Sequence, residues 1–232
     1  SVQGNPDLKR TKVSNLDLRY ELYPRSGEVF SIGVFYKRFA DPIEQIFNEG
    51  SGGASTFNFQ NPKKARSYGT ELEFRKQLDF AQALRNFTFQ VNAAYIYSRV
   101  TDKGFNLERP LQGQSPYTVN LGLMYDWQEQ GLTATLLLNQ VGQRIYLVGD
   151  IAAGAGSPDI YEAPRPLLDF QVSKKVIKSK GEIRVNIADI LNQTQYFYQN
   201  TDDKTSFRKS KDPIRFSRKW GTTFGVTFGY AL

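Results

Sequence analysis

The sequence predicts an all-β, antiparallel fold that forms part of a transmembrane β-barrel. Three observations carry this. Apolar and polar residues alternate with period two along nine separate stretches. Most of these stretches run to about ten residues or more, the span of a tilted membrane strand rather than of a typical soluble one. The connections between them alternate short and long, as antiparallel neighbours require when all short turns lie at one end of a sheet.

The stretches follow in order. In 14–23, Leu16, Leu18, Tyr20 and Leu22 share a face, with Asp17, Arg19 and Glu21 opposite. In 29–39, Phe30, Ile32, Val34 and Tyr36 line one side. In 67–76, Tyr68, Thr70, Leu72 and Phe74 oppose Glu71, Glu73 and Arg75. In 86–98, Phe87, Phe89, Val91, Ala93, Tyr95 and Tyr97 oppose Thr88, Gln90 and Asn92. Residues 116–128 carry Tyr117, Val119, Leu121, Leu123, Tyr125 and Trp127, with Asn120 on the other side; 131–144 carry Leu132, Ala134, Leu136 and Leu138. In 165–175, Leu168, Phe170 and Val172 oppose Asp169 and Gln171; in 180–191, Ile183, Val185 and Ile187 oppose Arg184 and Asn186. Phe224, Val226, Phe228, Tyr230 and Leu232 end the chain. No stretch has a helical period; Asp41–Phe47 offers at most a helical turn inside a loop.

For any one such strand a soluble sandwich is the favoured reading, because a half-buried antiparallel strand makes the same pattern. Nine long ones with end-to-end loop bias favour the membrane. Tyr20, Tyr23, Tyr97, Tyr117, Tyr125 and Trp127 sit near strand ends, where interfacial girdles form. The polar row is then expected to face the barrel interior: Asp17, Arg19, Glu21, Glu71, Glu73, Arg75, Asn92, Asn120, Asp169, Arg184 and Asn186. Nine strands do not close a bacterial barrel, and hydrocarbon tolerates no open edge, so further strands complete the wall.

Composition narrows the chemistry. The 232 residues carry no Cys and no His. Thiolate metal sites, disulfides, cysteine nucleophiles and every His-dependent triad are excluded. No apolar run is long enough for a transmembrane helix, and no leader is visible. The opening Ser1-Val-Gln-Gly-Asn-Pro reads as the middle of a longer protein. The net charge is +7, but the basic residues are scattered and no nucleic-acid motif accompanies them. Asp202-Asp203 lacks calcium-loop spacing and Gly154-Ala155-Gly156 lacks the strand–helix context of a dinucleotide site, so no metal or cofactor is expected.

Several segments, in order, resemble the C-terminal barrel region of TonB-dependent outer-membrane receptors, particularly those of Bacteroidetes. They are Gly4-Asn5-Pro6-Asp7-Leu8-Lys9 with Ser14-Asn15-Leu16-Asp17-Leu18, Phe35-Tyr36-Lys37-Arg38-Phe39 with Asp41-Pro42-Ile43-Glu44, and Gly69-Thr70-Glu71-Leu72-Glu73-Phe74. Arg109-Pro110-Leu111-Gln112-Gly113-Gln114-Ser115-Pro116-Tyr117, Val141-Gly142-Gln143-Arg144, Leu168-Asp169-Phe170 and Val185-Asn186-Ile187-Ala188-Asp189-Ile190-Leu191-Asn192 continue the series. The family's terminal Phe is replaced by Leu232.

The resemblance implies that residues 1–232 are the last strands of one 22-stranded barrel domain in the cell outer membrane, with the plug and earlier strands upstream. It implies nutrient import driven through TonB and the plug, with no bond chemistry. Lipid, lipopolysaccharide, the remaining strands and a surface lipoprotein lid are the partners it suggests; nucleic acid is not among them. Ligand would meet the loops 1–13, 40–66, 99–115, 145–164 and 192–221, where Phe57, Phe59, Tyr146, Tyr161, Tyr196 and Tyr198 supply aromatic area and Gly52-Gly53, Gly154 and Gly156 supply mobility. Lys63, Lys64, Arg66, Lys204, Arg208, Lys209, Lys211, Arg215, Arg218 and Lys219 place basic charge there, suited to lipopolysaccharide phosphates or an anionic ligand. The rival readings are a receptor-like barrel for export, adhesion or signalling, a soluble β-rich binding module, and an outer-membrane enzyme, the last weakened by the missing His.

Overall fold

The computed structural model describes residues 1–49, 55–102, 107–149, 158–200 and 206–231. Gly52-Gly53, Gly154, Gly156, Asp202-Asp203, Lys204 and Leu232 lie outside the described residues. In chain order the strands are β1 (Lys12–Leu22), β2 (Val29–Ala40), β3 (Glu44–Glu49), β4 (Ser55–Gln60), β5 (Lys64–Gln77), β6 (Phe87–Asp102), β7 (Leu107–Arg109) and β8 (Tyr117–Trp127). There follow β9 (Leu132–Val141), β10 (Arg144–Gly149), β11 (Ile160–Glu162), β12 (Leu167–Val176), β13 (Gly181–Ala188), β14 (Gln195–Gln199), β15 (Ile214–Arg218) and β16 (Thr223–Tyr230). Helical geometry among the described residues is confined to 3-10 turns at Gln82–Leu84 and Gln128–Gln130.

The nine predicted strands form one antiparallel wall in the order β1-β2-β5-β6-β8-β9-β12-β13-β16, with β7 added to β6. Alternation within each strand propagates across the wall because the pairing register never slips by one residue. Leu18 faces Val34, Val34 faces Thr70, Thr70 faces Tyr95 and Tyr95 faces Tyr117. Further along, Leu121 faces Leu138, Leu138 faces Leu168, and Val172, Val185 and Val226 follow one another across β12, β13 and β16. A one-residue slip at any pair would have exchanged the faces. The apolar face is open: Leu16 and Leu18 are each 72% exposed and Val226 is 76% exposed. A wall presenting this much contiguous apolar surface is built for a non-aqueous neighbour. The cations on that face stand near its two ends: Arg38, Arg66 and Arg99 in adjoining strands at one, and Lys76 and Lys174 at the other, where the Lys174 ammonium reaches the Gln130 carbonyl in the adjoining short turn.

Close backbone approach explains the glycine of the Gly69-Thr70-Glu71 segment. Phe35 lies opposite Gly69, and a Cβ there would stand 2.2 Å from the Tyr95 carbonyl oxygen and 2.9 Å from the Phe35 ring.

The short turns, 23–28, 78–86, 128–131 and 177–180, all lie at one end of the wall, as predicted. Arg25 joins two of them, reaching Asp79 and Glu28 at 2.6 Å each.

The long connections differ from expectation. They contribute a second sheet, in the order β15-β14-β11-β10-β3-β4, antiparallel except for β10 beside β3. Asp41–Phe47, read as at most a helical turn, enters strand β3. Lys64 and Arg66, read as loop residues, belong to wall strand β5. Residues 1–5 run alongside β4, with Val2 bridging Phe57 in parallel and Gln3 N–H donating to the Phe57 carbonyl at 2.8 Å.

This loop tier holds much of the buried core. Phe47, Leu147, Ile160 and Phe197 pack together against Phe57, Tyr146 and Phe216; Ile46, Ile145 and Val148 pack against Tyr161. Glu44 is buried and ion-paired with Arg109 at 2.5 Å, which fastens β7 to β3. Gln112 adds four hydrogen bonds there, one of them accepted by its Oε1 from the Gln45 N–H at 2.7 Å. Its N–H donates to Glu44 at 3.0 Å, and its side-chain amide donates to the carbonyls of Gln45 (3.1 Å) and Tyr146 (2.9 Å). Removing one partner of a buried pair strands the other charge. Arg109→Ala is therefore expected to destabilise the tier by about 3–5 kcal/mol, read as faster proteolysis within 44–60 and 144–162; Arg109→Ala with Glu44→Leu recovers most of the loss.

Candidate functional site

Two regions are candidates: the polar face of the wall and the tier formed by the long connections. All eleven residues of the predicted polar row share one face. Glu21 faces Ser31, Ser31 faces Glu73, Glu73 faces Asn92, and Asn92 faces Asn120, giving a continuous row from β1 to β8. Asn139 extends it, donating its amide to the Asn120 oxygen. Arg19 joins the rows by reaching both Glu21 and Glu73 at 2.6 Å. Asp17, Glu71 and Arg75 flank this row, and Asp169, Asn186 and Arg184 continue the face across β12 and β13. Asp169 also accepts the Asp189 N–H at 2.8 Å, so it helps to close the end of β13. Leu137 interrupts the face with an apolar side chain between Gly122 and Asp169.

The tier gathers the aromatic residues expected in the loops. Tyr146 meets Phe197 edge-on at 4.7 Å, and Phe57 lies 6.1 Å from Phe47. Tyr161 lies 5.9 Å from Tyr198. Tyr196 stacks on Phe207 at 5.3 Å, with the Lys209 ammonium 5.1 Å above its ring. Phe59 is paired with Gln45 at the β3–β4 hairpin. Tyr198 is fully buried and donates to Gln143 at 2.7 Å, and burial pushes its phenol up. It belongs to the packing of the tier, which corrects its place among ligand-facing side chains. Tyr146, Tyr161 and Tyr196 keep partial exposure. The Arg218 guanidinium lies over Phe197 and Phe216, at 5.2 and 5.3 Å.

A cleft of about 270 Å³ opens where wall and tier meet, lined in part by Tyr95, Tyr97, Arg99, Gln143 and Tyr161. Sequence reading missed the anchoring group of Glu44, Arg109 and Gln112. The available signal was the pair of short β-rich runs, 44–49 and 55–60, on either side of a glycine-containing segment, which is a hairpin pattern. Among the described residues no cluster of acidic side chains is arranged to hold a metal ion.

The wall, its one-ended turns and its tier are the architecture of a receptor barrel, and comparison with known families decides the matter: the family described as TonB dependent receptor-like, beta-barrel, matches residues 1–190. The chain belongs to this family. No match was found among curated proteins. Solved structures share the fold at low identity. The copper transporter OprC is 17% identical, with a TM-score of 0.67 over 97% of this chain and 33% of that one. The ferric citrate transporter FecA in its unliganded form is 14% identical, with a TM-score of 0.64 over 94% of this chain and 31% of that one. The ferric enterobactin receptor PfeA of Pseudomonas aeruginosa, in complex with enterobactin, is 16% identical, with a TM-score of 0.61 over 98% and 32%. The chain thus spans about a third of the length of these receptors, and it is a partial barrel.

Burial also acts on a carboxyl in the tier of this receptor-family chain. Burial pushes the Asp159 carboxyl above its ordinary value, while the Gly149 N–H, 2.8 Å away, and Arg109 pull it down. A carboxyl that prefers its proton in the folded state makes stability fall as pH rises. The penalty is absent below the ordinary Asp value of about 3.9 and complete above the raised one. Amide exchange in β10 and β11, corrected for intrinsic rates, is therefore expected to show tighter protection on the acid side of that window, and Asp159→Asn is expected to flatten the difference.

Proposed function

We propose that this chain is the C-terminal part of the barrel of an outer-membrane receptor that binds a scarce nutrient at its long connections and imports it with energy delivered through TonB. The observation that carries the reading is the separation of the two ends. Tight turns close one end of the wall, while the four long connections and residues 1–5 gather at the other. A transporter needs an elaborated capture surface on one side of the membrane only.

In this reading the open apolar face meets lipid, and the row from Asp17 to Asn186 faces the barrel interior. The two aromatic bands are the membrane interfaces. Tyr36, Tyr68 and Tyr97 stand side by side near the tier, and Phe87 and Tyr125 pair near the short turns, with Trp127 beyond them. The edges of β1 and β16 pair with the remaining barrel strands, and the plug that TonB engages lies upstream. The nutrient enters between the tier and the plug, past Tyr146, Tyr161 and Tyr196. Neighbours named for copper, ferric citrate and ferric enterobactin support a metal complex as the class of nutrient. A surface lipoprotein lid would seat on the tier.

Two experiments test this. Val34→Arg places a guanidinium in the apolar face and is expected to cost about 2–4 kcal/mol of membrane-state stability, lowering the heat-modifiable band in outer-membrane fractions. Asn92→Arg, on the opposite face, is expected to leave that band intact. For transport, strains lacking the receptor or lacking TonB are compared on media limited in turn for iron, copper and single organic nutrients. At least one nutrient is expected to reveal the same growth defect in both. A receptor defect that persists independently of TonB would refute energised import.

A further inference from the structure

We propose that the nutrient descends through the barrel along a neutral strip of the interior face, formed by β6, β8 and β9. The inference rests on the import reading and on the polar face of the wall lining the barrel interior. It goes further by naming the sector through which cargo passes and the chemistry that suits it.

The register lays out the strip. Asn92, Asn120 and Asn139 face one another across the three strands. The next row towards the short turns is Gln90, Gly122 and Leu137. The rows on either side of these two add only Ala, Thr, Val and Met. Asp126, opposite Thr133, closes the strip at the short turns, and its carboxylate accepts the Thr133 hydroxyl at 3.1 Å. Within these rows it is the only charged residue. At about 3.4 Å per residue, Thr133 to Val141 on β9 covers roughly 27 Å, much of the hydrocarbon thickness.

Charge lies on both sides of the strip. On the same face β1 and β5 carry Arg19, Glu71, Glu73 and Arg75, and β12 and β13 carry Lys175, Glu182 and Arg184. The strip also has an outlet. It ends in an open hollow of about 560 Å³, where Thr88, Met124 and Asp126 meet Asp79, Arg85 and Glu129 of the short turns. The neutral sector thus leads from the tier to the opposite end of the wall.

Passage needs contacts weak enough to leave. A charged metal complex is held by a fixed charge of opposite sign and repelled by one of like sign, so the two charged flanks obstruct it. Amides and hydroxyls hydrogen-bond to water as readily as to cargo, and exchanging one for the other changes little. Leu137, 41% exposed on an otherwise polar face, has no hydrogen bond to exchange. The same contrast acts on a plug that fills the barrel. Charge-assisted pairs grip it at the flanks, and it parts from the wall most readily along the strip.

The test uses the full-length receptor in cells with and without TonB. These 232 residues contain no native thiol. Asn120→Cys and Thr135→Cys each place one on the strip. Gly33→Cys places one in the charged flank between Arg19 and Glu71, where a Cβ would have its nearest neighbour at 3.7 Å. Growing cells are exposed to a membrane-impermeant fluorescein maleimide, and the labelled peptide is identified by mass spectrometry. Labelling at 120 and 135 is expected to run roughly tenfold faster with TonB present, because its rate follows the open fraction; labelling at 33 is expected not to change. TonB-independent labelling of either strip thiol, or an equal response at 33, overturns the strip. As a second measurement, Leu137→Trp narrows the strip and is expected to abolish TonB-dependent growth while the barrel still migrates heat-modifiably. Growth equal to wild type in that variant overturns the proposal. The two levels of failure separate. A receptor whose loss causes no TonB-dependent growth defect sinks the import reading as well, whereas TonB-dependent growth with TonB-independent labelling sinks only the strip.

Discussion

Everything in this structure depends on an unbroken antiparallel hydrogen-bond register across the wall. A spanning sheet in hydrocarbon has no water to satisfy its backbone, so each strand must pair on both sides. The register then does a second task. Once Leu18 lies opposite Val34, and Val34 opposite Thr70, the facing of every other side chain in those strands follows with no further choice. The apolar face, the polar row and the two aromatic bands are consequences of one alignment. The wall also ends in strands exposed along nearly their whole length, β1 and β16, in keeping with a partial barrel.

The tier obeys different rules. It contains the most deeply buried side chains, among them Ile145, Phe197 and Tyr198, because it cannot rely on lipid to cover its apolar residues. Its strands are short, five or six residues in β3, β4, β10, β14 and β15, as in soluble sheets. A buried ion pair, Glu44 with Arg109, and the bridging amide of Gln112 fix how its pieces meet. The tier therefore has a defined core of its own, in which Tyr146, Tyr161 and Tyr196 are held by aromatic neighbours rather than left as free loop residues.

Between the two lies a boundary that neither region explains alone. Arg38, Arg66 and Arg99 are unremarkable in a linear reading, since each sits at the end of a strand where charge is ordinary. They become a feature only when the register sets them side by side above Tyr36, Tyr68 and Tyr97. The same holds for the polar row. Glu73, Asn92 and Asn120 were each readable as polar alternates, but their alignment into one ladder needed the pairing.

The wall was legible from the chain alone: its strand number, the facing of its residues and the end at which the short turns lie. Period-two alternation and turn length are local properties, and each strand of the wall carries enough of them to be read alone. The tier was settled by long-range pairing. The segments 44–49, 144–149, 195–199 and 214–218 are too short for a period to stand out, and their partners lie far away in sequence, as with β10 beside β3 and β11 beside β14. Tyr198 read as a loop aromatic until long-range pairing buried it, because burial depends on which strands come to lie against it, and that information is not held in its own neighbourhood of the chain.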